Sequence, residues 1–126
     1  MKTRRIDHVV VATPDAAGAL ATFRRHFALV PSVPLPESAP TLAIGGARIA
    51  FVTPEAGTAL AAALASVGEG MAAVSLEVAS LREAEASLQK AGIRFTTSTV
   101  AGRSRVHVDP ADAHGVRLEL IEGAAR

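Results

Sequence analysis

Two residues carry most of the chemistry this chain could do. His8 sits early in a β-branched run, Arg5 to Thr13, and Glu119 lies in the middle of an apolar run, Gly115 to Glu122. A carboxylate at mid-strand is costly without a partner, and an imidazole changes charge near neutral pH. A pair of this kind could move a proton to and from a carbon acid. It could also supply one nitrogen and one oxygen to a metal. Around the pair the sequence offers Arg48, Ser75, Arg105, His107 and Arg117. The planar fork of arginine matches carboxylate and phosphate, so this set points to recognition of a small anion. The chain has no cysteine, which removes thiol nucleophiles, disulfides and cysteine-based zinc sites together.

The elements that must position these groups can be read in order. Residues 5–13 form a strand, with His8, Val10 and Ala12 on one face and Asp7, Val9 and Val11 on the other. Thr13-Pro14-Asp15 is a helix start with Thr13 as N-cap, and the helix runs to about Ala28 with Leu20, Phe23 and Phe27 on one stripe. Residues 30–40 carry four prolines and read as extended or irregular chain. Thr41 to Ile44 and Ala47 to Thr53 are strands joined by Gly45-Gly46, and residues 58–67 form an Ala/Leu-rich helix. Gly68-Glu69-Gly70 breaks the chain. Met71 to Val78 is a strand, Ala79-Ser80 a cap, and residues 81–91 a helix stopped by Gly92. Strands follow at residues 93–97, 105–109 and 115–122, with a turn at 100–103.

The order β-α-β-β-β therefore occurs twice, over residues 4–54 and 70–123, joined by the helix at 57–67, within a single α+β domain spanning 1–126. Gly46-Ala47-Arg48-Ile49-Ala50-Phe51-Val52 and Gly115-Val116-Arg117-Leu118-Glu119-Leu120-Ile121 share the pattern Gly-x-Arg-Φ-x-Φ-Φ, where Φ is apolar, at the same point of both halves. If His8 and Glu119 share one face, alternation adds Val10, Arg48, Ala50, Val52, Ala73, Ser75 and Arg117 to it. Arg105 and His107 share a parity on their own strand, and Phe51 faces away from His8.

The duplicated plan resembles the vicinal oxygen chelate superfamily, which includes glyoxalase I, bleomycin-resistance proteins, extradiol dioxygenases and methylmalonyl-CoA epimerase. Ile6-Asp7-His8-Val9-Val10-Val11 looks like the epimerase-type opening strand. Gly68-Glu69-Gly70-Met71 to Glu77-Val78, with a helix ending Lys90-Ala91-Gly92-Ile93, looks like the second opening. Asp109-Pro110 and His114 to Glu122 look like the closing strand. The resemblance implies one open, cup-shaped mixed sheet with the helices outside, and homodimerisation, which would also cover edge strands. It implies four metal ligands on the concave face, at His8, Ala50, Ala73 and Glu119. Alanine has no donor atom, and catalytic metals normally take three protein ligands. No cofactor is therefore expected. A divalent metal, if any, would rest on His8 and Glu119, with His107 as a third donor if its strand brought it close.

The expectation is a metal-free protein that binds a carboxylate-bearing or acyl-CoA-like molecule in the cup, with Ala50 and Ala73 leaving open volume where ligands would otherwise stand. The alternative is an epimerase- or lyase-like enzyme using His8 and Glu119. Beside these stand plainer readings. His8 could be a buried histidine bonded to Glu119, and Arg48 and Arg117 could lie at strand ends and reach solvent. His26 is expected on the surface, His114 in a turn, and Glu77 as a solvated charge near a strand end. Four Phe with no Tyr or Trp, and a formal charge of +1, argue against nucleic acid and against stacking of flat antibiotics. No stretch approaches 18 uninterrupted apolar residues, so no membrane span is expected, and the cytoplasm is the default compartment.

Overall fold

The computed structural model describes residues 1–123. Its strands are β1 (Thr3–Ala12), β2 (Val30–Pro31), β3 (Thr41–Ile44), β4 (Ala47–Val52), β5 (Gly70–Val78), β6 (Phe95–Val100), β7 (Arg103–Val108) and β8 (Leu118–Glu122). The helices are α1 (Ala16–Phe27), α2 (Ala59–Val67) and α3 (Leu81–Ala91), with a one-turn 3-10 helix at Pro110–Asp112. The α+β class and the twofold β-α-β-β-β order stand as the sequence predicts. Among the described residues no helix is long and apolar enough to cross a membrane. Internal contacts divide the chain into two units, one of residues 8–72 and one of residues 1–7 with 73 onward.

In the first unit the hydrogen-bonded order is β2-β3-β4-β1. β1 runs parallel to β4, with His8 opposite Arg48, Val10 opposite Ala50 and Ala12 opposite Val52. The face predicted for His8 is therefore the face of Arg48 and Ala50. The opposite face packs on α1, where the ring of Phe23 stands edge-on to Phe51 at 5.1 Å. Phe51 is fully buried, and covering a side chain of that size stabilises by roughly 1.5–3 kcal/mol.

The start of α1 differs from the sequence reading. The N-cap is Asp15, whose Oδ1 accepts from the Gly18 backbone N–H at 2.9 Å. Thr13 instead accepts from the Asp15 N–H at 3.1 Å and donates to Glu69. A carboxylate two residues further on reaches the free N–H groups of the first turn better than the buried hydroxyl does.

The proline-rich segment 31–40 folds back across the face of Ala50. Leu35 and Ala39 are buried against Ala50, with Val52 beside them. Both Thr41 Oγ1 and Arg48 Nη1 donate to the Val33 carbonyl at 2.8 Å, which lashes this segment to β3 and β4.

In the second unit the order is β5-β8-β7-β6. α3 is capped by Ser80, which accepts from the Glu83 N–H at 3.2 Å, and closed by Gly92 at φ 73°. That left-handed conformation is where glycine carries no Cβ penalty. Ala84 and Leu88 of α3 pack with Val78, Val106, Val108 and Leu120 into the largest described apolar cluster. One face of this half-sheet is thus committed to the core. The other carries Ser75, Glu119, Arg105 and His107.

Residues 1–7 pair with this unit. The Ala79 N–H donates to the Lys2 carbonyl at 2.9 Å, and Arg5 Nη2 lies 3.2 Å from Glu77 Oε1. Glu77 is not the solvated charge the sequence suggested. It is 7% exposed, because an arginine from a distant part of the sequence meets it there.

Candidate functional site

Register builds the site. Ser75 on β5 lies opposite Glu119 on β8, and His107 on β7 lies opposite Glu119 from the other side. Side chains directly across neighbouring strands on one face are within contact range. Ser75 Oγ donates to Glu119 Oε1 at 3.1 Å. On the other carboxylate oxygen, Arg105 Nη1 stands at 3.6 Å and His107 Nδ1 at 3.8 Å. The far nitrogen of the imidazole, Nε2, lies 2.8 Å from Ser98 Oγ on β6.

Burial is graded across this row. The side chains of Arg105 and Glu119 are 9% and 15% exposed, and that of His107 is 41% exposed. The charge of Glu119 is therefore met inside the protein by a nearly buried guanidinium, as a mid-sheet carboxylate requires. The imidazole edge reaches solvent. Such a set can fix a carboxylate in place, present a basic ring to a solute, and pass a proton between a hydroxyl and that ring.

The remaining predicted residues are placed by their own strands and turns. His8, 2% exposed, and Arg48 are register partners in the first unit, whereas the other five belong to the second. Arg48 is held to the loop carbonyl of Val33. Arg117 lies just before β8, where its carbonyl accepts from the Val74 N–H at 3.0 Å. His26 is exposed, and His114 occupies a turn at φ 55°, both as expected.

One expectation is overturned. Ala50 does not leave open volume, because Leu35 and Ala39 fill the space over it. The donor set also does not fit the metal that the resemblance implies. Two of the four positions are alanine, one of them is packed over by hydrocarbon, and among the described residues no three His, Asp or Glu side chains converge.

Ser98 escaped the sequence reading. The sequence signal was Gly102 in the turn expected at 100–103, and in the structure Ala101 and Gly102 adopt positive φ, at 51° and 77°. A two-residue turn of that kind pairs Val100 with Arg103 and Ser98 with Arg105.

No family model and no curated protein sequence matches the chain. Solved structures do. A hypothetical protein from Bacillus halodurans superposes with a TM-score of 0.85 at 20% identity, over 100% of this chain and 98% of its own. Methylmalonyl-CoA epimerase from Mycobacterium tuberculosis matches with a TM-score of 0.83 at 24% identity, over 98% of this chain and 90% of its own. A variant of the Streptomyces coelicolor epimerase, in complex with 2-nitronate-propionyl-CoA, matches with a TM-score of 0.84 at 23% identity, over 98% and 97%. This chain shares the fold of these structures. β8 carries a carboxylate, Glu119, where the first half has Ala50 at the matching place of the Gly-x-Arg pattern.

Proposed function

We propose that this protein binds a small carboxylate-bearing or acyl-CoA-like molecule, without a metal, on the polar face of β5, β8 and β7. The carrying observation is the Glu119 cluster: a nearly buried Arg105–Glu119 pair, a serine hydroxyl and a half-exposed imidazole on the face opposite α3. Because Arg105 is engaged with Glu119, the anionic part of the ligand falls to His107 and Arg117, with Ser75 holding the Glu119 carboxylate in place. The likeness to epimerase structures, one of them holding an acyl-CoA analogue, supports this ligand class.

A second reading is favoured by the same likeness. An epimerase- or lyase-like enzyme would use Glu119 as base, removing a proton beside a thioester carbonyl and returning it. The two readings separate in one experiment. Chelator-treated protein is titrated with propionyl-CoA by calorimetry and then incubated with methylmalonyl-CoA in D2O. Saturable binding without deuterium entering the substrate supports the binding protein. Deuterium incorporation that is lost in Glu119→Gln supports the enzyme. Absence of binding to acyl-CoA and to simple carboxylates rejects both.

A further inference from the structure

Three neighbouring strands of the second unit present, in line, a hydroxyl, an imidazole and a carboxylate. Ser98 Oγ on β6 is 2.8 Å from His107 Nε2. His107 Nδ1 on β7 is 3.8 Å from Glu119 Oε2. Glu119 on β8 is itself held by Ser75 and Arg105. The geometry points to Ser98 as a nucleophile toward small acyl esters and thioesters, with His107 as its base and Glu119 as a positioning residue.

A free serine hydroxyl is a weak nucleophile and needs an adjacent base that a third group orients. All three are present, and strand register rather than loop geometry sets their spacing. A carboxylate on the Nδ1 side favours the tautomer with its proton on Nδ1, which leaves Nε2 to accept from Ser98. The Nδ1–Oε2 gap exceeds a hydrogen bond, and such contacts are commonly loose before substrate binds.

The step is as follows. Ser98 Oγ bonds to the carbonyl carbon while its proton passes to Nε2. The bond to the alcohol or thiol breaks, and that group leaves with the proton. Water, deprotonated by Nε2, then cleaves the acyl-serine, releasing the carboxylic acid and restoring the hydroxyl. β6 ends its half-sheet order and the His107 side chain is 41% exposed, so an acyl group can approach from solvent. Thr96, Thr97 and Thr99 flank Ser98, which suits a short, polar acyl chain.

This inference does not rest on the acyl-CoA reading, and either can fail without the other. The test is a fluorophosphonate probe, followed by tryptic mapping. Cleavage after Arg94 and Arg103 gives a peptide, residues 95–103, whose one serine is Ser98. We expect the adduct on that peptide, its loss in Ser98→Ala, and labelling slowed by about 10²-fold or more in His107→Gln with the thermal midpoint kept. Glu119→Gln should lower the labelling rate at saturating probe without weakening reversible probe binding, and Glu119→Asp should restore part of it. No adduct on residues 95–103, or labelling unchanged in His107→Gln, would overturn the proposal. Labelling unchanged in Glu119→Gln would overturn the part given to Glu119.

Discussion

Glu119 and Glu77 show how far single residues could be read from sequence. Strand alternation placed Glu119 with Ser75 and Arg117, and the structure puts Ser75 and Glu119 in register and in contact. The same alternation could not see that Arg5 meets Glu77, because that contact spans 72 positions of sequence. Ala50 shows the limit more sharply. Its small side chain suggested vacant space, yet Leu35, 15 positions earlier, occupies it at 4% exposure. Leu35 lies in a proline-rich stretch without periodicity, so nothing local marked it as core. Leu35→Ala is expected to destabilise the protein by about 2–4 kcal/mol, read by urea denaturation. A surface-like cost below about 0.5 kcal/mol would mean that the segment does not seal Ala50.

At the scale of elements, caps and turns decide. α3 has a serine N-cap and a glycine stop, and both were legible because each residue type does one local job. α1 ends at Ala28 with φ 54° and ψ 31°, a left-handed position occupied by a residue with a Cβ. Ala28→Gly should therefore stabilise by about 0.5–1 kcal/mol, again by denaturation. The segment after β7 is tied to the start of β6 by Arg94. Its guanidinium donates twice to Asp112 at 3.0 Å and stands 3.7 Å from Asp109. These contacts lower the Asp112 carboxyl from 3.8 to about 2, through the Arg94 side chain first and its backbone N–H second. A lowered carboxylate favours the folded state once ionised. Its contribution is complete above pH 3.8 and is lost as pH falls through about 2. The stability difference between the wild type and Asp112→Asn should then be constant near neutrality and shrink across that acid window. A difference that grows on acidification would contradict the pairing.

At the scale of the whole molecule, the fold was the most legible feature. A repeated β-α-β-β-β order and a shared Gly-x-Arg pattern are global signals, and the match to epimerase structures over 98% of the chain agrees with them. Function was less legible, since one fold hosts many chemistries and the site decides among them. Here the side chains differ from a metal-binding set where it matters, with alanine at positions 50 and 73. They leave instead a hydroxyl–carboxylate–guanidinium–imidazole cluster built on one half of the repeat. We propose that this cluster, with Arg117, holds an anionic acyl ligand unaided by a metal. Calorimetric titration of propionyl-CoA into chelator-treated wild type, Arg117→Ala and His107→Ala tests it most directly. Saturable binding to the wild type is expected, weakened about tenfold or more in each variant, as loss of a charged hydrogen bond of roughly 1.5–3 kcal/mol requires. Binding that appears only when a divalent metal is added, or that is undiminished in both variants, would contradict it.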